Sequence, residues 1–485
     1  MLWPRAECLA LCCLALLLWC RWPVAAGEIE QKGLALAAEL GIPSQAVAFM
    51  VVDPEGQVSA HRATQPMVPA SNLKLVTAAA ALEILGPEFG IRTDLRRVGP
   101  IQEGVLEGDL FVVGRGDPGI SGRFFAGDPV AELRAWCGVL RELGVRQVRG
   151  QLLADDTYLA GPTRLPGWPQ SQLHRWYCAP SGALNLNDNC VDVHLIPRPE
   201  KSTIEVQLKP QGSLFRLRSQ LTPVYEKSSH LYRVERKPGS WEIQVAGKFL
   251  ISGGERVEWI TVPDPTLAFL DAFQSLLASE GISIAGGVGR APAPQSAQLI
   301  TRCERPVAAL IPVFLKKSQN LYGDCLLRIL GRVRGGDGSF TSGSRQLSLF
   351  LEAVTGITDG FVIQDGSGLS SQNRLTAEQL VKLLRYAARR PWFPIFRDSL
   401  AVAGWDGTLA RRFQGSPLKG RLHAKTGTLE GASNLAGWLR TDRGGVTFAL
   451  TFNGAPHRTD HARRWQQQFL EFLLERYGSD TQGGQ

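Results

Sequence analysis

The chain has 485 residues and a formal net charge of +8 at pH 7, with 44% hydrophobic and 20% charged residues. This length exceeds one compact core, so we expect two to four domains, and the composition excludes a disordered or fibrous protein. Basic side chains are not interleaved with aromatic ones, so we expect no nucleic-acid partner and interpret the charge as a solvated basic surface.

The first 26 residues are typical of an export signal. Arg5 precedes an apolar run over residues 9–20, which is too short to span a bilayer. Small residues at positions 24–26 suit cleavage before Gly27. No later stretch is typical of a transmembrane helix. We therefore expect an exported protein, located in the periplasm or at the outer face of the cell envelope.

Nine cysteines occur in the chain, and four of them lie within the expected signal. Cys178 and Cys190 are the best candidates for a disulfide, which would enclose a short loop and stabilise the fold by about 3 kcal/mol. Cys137 and Cys325 fall in helical patterns and are expected to be buried thiols. The state of Cys303 stays open.

An alanine-rich helical pattern begins at Pro69 and ends at Gly86. Ser71 in its first turn and Lys74 three residues later share one face of the helix. A serine hydroxyl becomes a nucleophile when a base takes its proton, and a lysine is that base only if its surroundings lower its pKa. The spacing alone is weak, because an amphipathic core helix explains it equally well.

The middle of the chain alternates between strand and helix patterns. Gly114, Gly116 and Gly119 form G-x-G-x-x-G directly after a strand. A dinucleotide site needs a helix to begin there, and Pro118 and Gly122 exclude one, so we interpret the stretch as a turn. The predicted elements are strands at 45–53, 108–114 and 151–156 and a helix at 128–144.

Alternating apolar and polar residues from 191 to 262 predict an all-β module. Asp264 and Pro265 then cap a helix that ends at Gly281. Residues 286–294 are rich in glycine, alanine and proline, which is typical of a linker where an inserted domain returns to its parent.

The last third predicts helices, a tight turn and a hairpin. The final helix carries an aromatic stripe that favours packing on the hairpin over lying on a membrane. His457 and His461 lack a third ligand, so we expect surface histidines and no metal site. The predicted elements are helices at 318–330, 376–389 and 461–477, a turn at 365–369, a strand at 422–428, a hairpin at 434–453 and a disordered tail at 478–485.

Three short motifs follow one another in chain order: Ser71-x-x-Lys74, Ser318-x-Asn320 and Lys425-Thr426-Gly427. This trio is typical of penicillin-interacting serine enzymes. With the runs at 108–114, 166–169, 365–370 and 403–409, the chain resembles the D-alanyl-D-alanine carboxypeptidase/endopeptidase family, the class C low-molecular-mass penicillin-binding proteins.

The resemblance implies an α+β fold. Its core is a serine DD-peptidase/β-lactamase-like domain, in which helices flank an antiparallel sheet beside a helical subdomain. Two insert domains are nested within it, one of them all-β. The implied division is the peptidase domain at 27–95 and 297–477, insert domain II at 96–190 and 256–296, and insert domain III at 191–255.

The resemblance also implies roles for the motif residues. Ser71 is the nucleophile that becomes acylated, and Lys74 takes its proton. Ser318 returns a proton to the departing D-alanine nitrogen. Asn320 holds Lys74 and binds a substrate carbonyl. Lys425 keeps the pocket electropositive, which lowers the pKa of Lys74 and attracts the terminal carboxylate of the substrate.

The remaining implied roles concern substrate binding. Thr426 also binds the carboxylate, and Gly427 lets an extended peptide approach the strand edge. The backbone N–H groups of Ser71 and Thr428 form the oxyanion hole. Asp155 matches a carboxylate that some relatives use to hold the amino group of a diamino acid, but a solvated loop acid explains it equally well.

We therefore expect peptidoglycan stem peptides as substrates, β-lactams as covalent inhibitors and no cofactor. The substrate preference for the diamino acid stays open, because Ser371 stands where relatives often carry arginine. The oligomeric state also stays open, a homo-oligomer included. Two alternatives are a β-lactamase, for which no dedicated water-activating acidic loop is evident, and a catalytically silent penicillin-sensing or wall-binding module, which the intact motifs disfavour.

Overall fold

The computed structural model describes residues 22–478, so most of the expected signal and nearly all of the expected disordered tail lie outside the described residues. Ten α-helices occur in this part of the chain. They are α1 (Trp22–Glu39), α2 (Leu73–Ala80), α3 (Ala131–Glu142), α4 (Pro265–Ser279), α5 (Val307–Lys316), α6 (Asn320–Val333), α7 (Phe340–Thr355), α8 (Ala377–Ala387), α9 (Phe393–Asp398) and α10 (Thr459–Arg476).

The strands of residues 22–478 form five sheets. They are β1 (Val47–Val52), β2 (Val58–His61), β3 (Gly90–Arg97), β4 (Ile101–Gln102), β5 (Val105–Leu106), β6 (Leu110–Gly114), β7 (Gln147–Val148), β8 (Leu152–Asp155), β9 (Cys190–Arg198), β10 (Thr203–Lys209), β11 (Arg216–Val224), β12 (Leu231–Arg236), β13 (Glu242–Leu250), β14 (Arg256–Thr261), β15 (Ser283–Ile284), β16 (Val288–Arg290), β17 (Gln298–Pro306), β18 (Ala401–Val402), β19 (Leu422–Leu429), β20 (Ala432–Thr441) and β21 (Gly444–Asn453).

The largest sheet combines the two ends of the chain in the order β18-β19-β20-β21-β1-β2, with antiparallel pairing throughout. Helices α1 and α10 cover one face. Trp465 donates from Nε1 to the carbonyl O of Gly33 at 2.9 Å, and Phe469 packs its ring edge-to-face on Phe49 at 5.0 Å. The aromatic stripe of α10 therefore packs on the sheet, as predicted. Within residues 22–478, no helix is long and apolar enough to cross a lipid bilayer.

Helices α2 and α5 to α8 form a layer on the other face of this sheet, and their apolar side chains make one buried core. The predicted serine helix is a continuous run of three parts: a 3₁₀ turn at Ala70–Asn72, the α-helix α2 and a π-turn at Ala81–Leu85. It ends at Gly86, as expected. An antiparallel sheet with helices on both faces confirms the predicted α+β fold class.

The insert part contains two mixed sheets, β16-β8-β6-β3-β17 and β15-β7-β5-β4, which share a core with α3 and α4. Two three-stranded sheets, β10-β9-β14 and β11-β13-β12, form the all-β part. Strand pairing differs from the expected division at its boundaries: β3 and β17 lie in a sheet of the insert part, β14 pairs with β9, and β16 falls inside the predicted linker. The division into three domains stays a prediction.

The disulfide expected between Cys178 and Cys190 is a wrong prediction, because all five described cysteines are free and buried. Cys178 contributes to the core of the helical layer, whereas Cys190 begins β9, so closeness in the chain does not produce a disulfide here. Burial raises the pKa of Cys178 to about 12, which leaves it an unreactive thiol. Cys137 and Cys325 are buried in helices, as predicted.

Candidate active site

Ser71 lies in the 3₁₀ turn directly before α2, and Lys74 lies in the first turn of that helix. The distance between Lys74 Nζ and Ser71 Oγ is 2.9 Å. Residues three apart on a helix project from the same side, one turn above the other, so this pairing is local. The structure brings the two residues of the first motif together.

Lys74 Nζ has two further close neighbours, and both are oxygens that only accept hydrogen bonds. The carbonyl O of Ser367 is 2.5 Å away and Oδ1 of Asn320 is 2.7 Å away. The Asn320 amide is fixed in this orientation because its Nδ2 donates to the carbonyl O of Tyr177 at 2.8 Å. A neutral amine has two N–H donors and one lone pair. Among these three neighbours only the Ser71 hydroxyl can donate to the lone pair.

Lys74 is fully buried, and burial lowers the pKa of its ammonium group to about 7, because a charge is costly to hold away from water. The buried side chains of Asp324 and Asp365 oppose this effect and raise the pKa. The balance leaves a substantial fraction of Lys74 neutral near pH 7, which is the state that a general base requires.

Lys425 is also buried, with Nζ 2.9 Å from Ser318 Oγ and 3.1 Å from the carbonyl O of Thr426. Burial lowers the pKa of Lys425 well below its usual range, and repulsion from Lys74 lowers it further. Burial is the largest cause of the lowered pKa at each lysine. Because repulsion between two cations acts on both of them, the expected contribution of Lys425 to the low pKa of Lys74 stays a prediction.

Ser318 does not begin a helix, contrary to the prediction, because α6 starts two residues later at Asn320. Its φ of +58° lies in the left-handed region, which costs a non-glycine residue about 1–3 kcal/mol. The adjacent Gln319 is buried and donates from Nε2 to Asp188 Oδ2 at 2.8 Å. This hydrogen bond fixes the loop that presents Ser318 to Lys425.

The run at 365–370 forms the predicted tight turn, and the carbonyl O of Ser367 in this turn accepts a hydrogen bond from Lys74 Nζ. Asp365 accepts from the backbone N–H groups of Gly368 and Ser370, each at 2.7 Å. Gly368 has φ +81°, and a Cβ at this position would lie 1.9 Å from the carbonyl O of Ala70. The turn therefore packs directly against the backbone that carries the serine.

Strand β19 carries the third motif and pairs with β20 along its whole length. On its other side, β18 pairs only with Ala424 and His423, so residues 425–429 have no strand neighbour there among the described residues. Gly427 is required for a reason that sequence reasoning missed. A Cβ there would lie 2.6 Å from the carbonyl O of Pro69, so the glycine lets β19 approach the serine turn.

Two cavities meet at Ser71 and Ser318. The larger one has a volume of about 670 Å³ and reaches Asn320 and Thr428. The smaller one, of about 400 Å³, is also lined by Thr408, Thr426, Thr428, Arg412 and Arg463. Both volumes fall within the usual size of a ligand pocket.

Sequence reasoning missed Thr408 and Arg412. Thr408 Oγ1 lies 2.9 Å from Thr426 Oγ1. Arg412 donates to the carbonyl O of Arg463 and to Gln466, and it makes no ion pair with a carboxylate among residues 22–478. Burial and repulsion from Arg463 lower the pKa of Arg412 to about 10. The nearby run 403–409, which contributes to the family resemblance, indicated that this segment belongs to the site. A sequence pattern cannot show where the guanidinium of Arg412 points.

Asp155 does not line either cavity at Ser71. Its Oδ1 accepts from the backbone N–H and the hydroxyl of Thr157, and its Oδ2 accepts from the backbone N–H of Ala293 at 3.0 Å. The carboxylate is thus engaged within its own part of the fold, and its role in substrate binding stays a prediction. Ser371 and Glu430 line the larger cavity.

The fold and the site define a serine peptidase of the penicillin-binding class: a serine next to a buried lysine, opposite a second serine and a second lysine beside an open strand edge. The chain belongs to the D-Ala-D-Ala carboxypeptidase 3 (S13) family, whose family model matches residues 34–475.

Curated relatives agree with this assignment. A D-alanyl-D-alanine carboxypeptidase of Actinomadura sp. is 30% identical over 407 residues, covering 80% of this chain and 74% of the relative. The D-alanyl-D-alanine carboxypeptidase DacB of Haemophilus influenzae is 27% identical over 401 residues, covering 80% and 81% of the two chains. The crystal structure of penicillin binding protein 4 from Haemophilus influenzae superposes with a TM-score of 0.76 at 24% identity, over 92% of this chain and 99% of that chain.

Proposed function

We propose that this protein is a serine DD-peptidase that removes the terminal D-alanine from peptidoglycan stem peptides and also cleaves D-alanine cross-links. The reaction passes through an acyl-enzyme on Ser71, and β-lactams form the same kind of ester. The observation that carries the proposal is the buried Lys74 amine. Its two acceptor neighbours leave its lone pair for the Ser71 hydroxyl.

Acylation begins when Lys74 Nζ takes the proton of Ser71 Oγ and the oxygen attacks the carbonyl carbon of the penultimate D-alanine. The oxyanion of the tetrahedral intermediate accepts hydrogen bonds from the backbone N–H groups of Ser71 and Thr428. As the C–N bond breaks, Ser318 gives its proton to the departing nitrogen and is reprotonated through the hydrogen-bonded lysines. Water then hydrolyses the ester and restores the Ser71 hydroxyl.

The substrate binds as an added strand on the free edge of β19, at residues 425–429. Main-chain hydrogen bonds along this edge hold the peptide, while the larger cavity receives its side chains. The terminal carboxylate lies in the smaller cavity, which Thr426 and Arg412 line, while the buried Lys425 lies behind it with Nζ 3.1 Å from the carbonyl O of Thr426. Burial of these cations strengthens their attraction for the carboxylate.

We expect Arg412→Gln to lower kcat/KM for D-alanine release by about 10- to 100-fold, mainly through KM, because a charge-assisted hydrogen bond to a carboxylate is worth about 1.5–3 kcal/mol. Steady-state kinetics on a pentapeptide ending in D-Ala-D-Ala checks this. Arg411→Gln is the matched control, since Arg411 is exposed and lines neither cavity, and it should leave both constants unchanged. Equal effects of the two substitutions would contradict the assignment of Arg412 to the carboxylate site.

The function itself is tested by incubating the protein with a pentapeptide ending in D-Ala-D-Ala, with a cross-linked dimer and with benzylpenicillin. We expect free D-alanine, cleaved dimer and a long-lived penicilloyl adduct, and Ser71→Ala should abolish all three. Rapid turnover of the penicillin would identify a β-lactamase instead. An adduct without D-alanine release would identify a penicillin-sensing module.

Export to the periplasm, or to the outer face of the envelope, belongs to the same proposal, because the substrate lies there. The apolar run at residues 9–20 supports it. Processing is checked by sequencing the amino terminus of the protein secreted from its host, which should begin at Gly27. An unprocessed amino terminus would contradict the assigned signal.

A further inference from the structure

A third cavity, of about 480 Å³, opens beside the catalytic one. Trp176 and Lys317 line both cavities, so the two spaces are adjacent at these side chains. The segment that carries Trp176 is also tied to the active site, since the carbonyl O of Tyr177 accepts from Asn320 Nδ2. None of the catalytic steps uses this third cavity.

Two indole rings form part of its wall and stay accessible to solvent. Trp176 is 37% exposed, and Trp259, on β14 of the all-β part, is 53% exposed. Single exposed aromatic side chains are common, whereas exposed aromatic side chains grouped around one cavity are typical of a ligand-binding surface. Flat indole faces suit a flat, partly apolar ring, while the N–H edge remains available for polar contacts.

The charges around the cavity cancel. Its cations are Arg123 and Lys317 and its carboxylates are Asp188 and Asp192, so the lining has no formal net charge. Arg123 Nε donates to Asp188 Oδ2 at 2.6 Å, and Asn187 Nδ2 donates to Asp192 Oδ1 at 2.9 Å. A cavity with balanced charges does not favour a strongly charged ligand.

The polar groups in the wall still offer both donors and acceptors. Oδ2 of Asp188 accepts from both Arg123 Nε and Gln319 Nε2, and the other guanidinium N–H groups of Arg123 have no hydrogen-bond partner among the described residues. Arg123 keeps about a third of its side chain exposed, next to carboxylate and amide oxygens. Donors and acceptors that line the same cavity as two aromatic side chains match a neutral ring that carries many hydroxyl groups.

We propose that this cavity binds the glycan strand of peptidoglycan, with an N-acetylhexosamine ring stacked between Trp176 and Trp259 and its hydroxyl or acetamido groups bonded to Arg123 and Gln319. This inference rests on the proposed function, because stem peptides are covalently attached to such a glycan. Binding the sugar beside the catalytic cavity raises the effective concentration of the attached peptide at Ser71. Peptides carried on glycan are then better substrates than free peptides.

The direct test is calorimetric titration of the Ser71→Ala protein with the neutral β-1,4-linked tetramer of N-acetylglucosamine. We expect millimolar or tighter binding. Trp259→Ala should weaken it about fivefold or more, and Trp259→Phe should retain part of it, because the stacking face is reduced rather than removed. Tyr225→Ala is the matched control, since Tyr225 is a 70% exposed aromatic residue in the same all-β part and does not line the cavity.

Activity supplies the second readout. In the active protein, Trp259→Ala should raise KM for a disaccharide-linked pentapeptide by the factor lost in sugar binding and leave KM for the free pentapeptide unchanged. No binding of the tetramer, or an equal rise of KM for both substrates, overturns the glycan site while D-alanine release still stands. Sugar binding without any D-alanine release would instead overturn the proposed peptidase function, while the glycan site would still stand.

Discussion

Replacing Lys74 with glutamine or arginine will reduce the rate of Ser71 acylation by about 10³-fold or more, because a positioned general base contributes about 10²–10⁴-fold and neither replacement can accept the proton. Glutamine has no basic nitrogen. Arginine stays protonated at any pH where the protein is folded. The measurement is the rate of covalent labelling by a fluorescent penicillin.

The pH dependence of the unmodified protein separates this role from simple support of the fold. Lys74 must be neutral to act, and its pKa is lowered to about 7, so acylation should fall as the pH drops below about 7. The residual labelling of both variants should not show this decrease at low pH. The arginine variant keeps a cation near Asp324 and Asp365, so loss of labelling with an unchanged melting temperature excludes unfolding as the cause. Labelling at the original rate by either variant would contradict the assignment of Lys74 as the base.

Replacing Gly368 with alanine will destabilise the protein by at least about 3 kcal/mol, because left-handed backbone and overpacking each cost about 1–3 kcal/mol. The new Cβ would lie 1.9 Å from the carbonyl O of Ala70, at a backbone φ of +81°. A backbone oxygen cannot move aside like a flexible side chain. The turn or the Ala70–Asn72 segment must shift, which also displaces Ser71 and the carbonyl of Ser367, so acylation falls with stability.

Gly356→Ala is the control that isolates the crowding. Gly356 also has positive φ, +68°, but nothing lies within 4 Å of its added Cβ. The Gly356→Ala variant should lose only about 1–2 kcal/mol of unfolding free energy, the ordinary cost of a left-handed residue, and keep its rate of acylation. Chemical denaturation of both variants gives the comparison. Similar losses of stability would mean that Gly368 is needed for its backbone angle alone.

Several features could be predicted because they depend on residues close in the chain. Ser71 and Lys74 pair within one helical turn, and the stripe of α10 needs only a helical period to place Trp465 and Phe469 on one side. The G-x-G-x-x-G stretch was excluded as a dinucleotide site by Pro118 and Gly122, and the next helix in the chain begins only at Ala131. Local spacing and local backbone preference are properties of the sequence itself.

Other predictions failed because local spacing does not determine how segments of the chain pack against each other. Cys178 and Cys190 are near one another in sequence but belong to different elements, and both thiols are free. The helix predicted from Ser318 begins at Asn320, because Gln319 is held by Asp188 from another part of the fold. Such a side-chain anchor changes the backbone without leaving a pattern in the local sequence.

The sequence by itself determined which residues form the three motifs and the class of enzyme they define. Only the tertiary structure decided that burial lowers the pKa of Lys74, and that Asn320 and Ser367 accept hydrogen bonds from its N–H groups. It also brought Arg412 into the carboxylate cavity. Desolvation and hydrogen-bond direction arise from atoms contributed by segments hundreds of residues apart, so they exist only once those segments are packed.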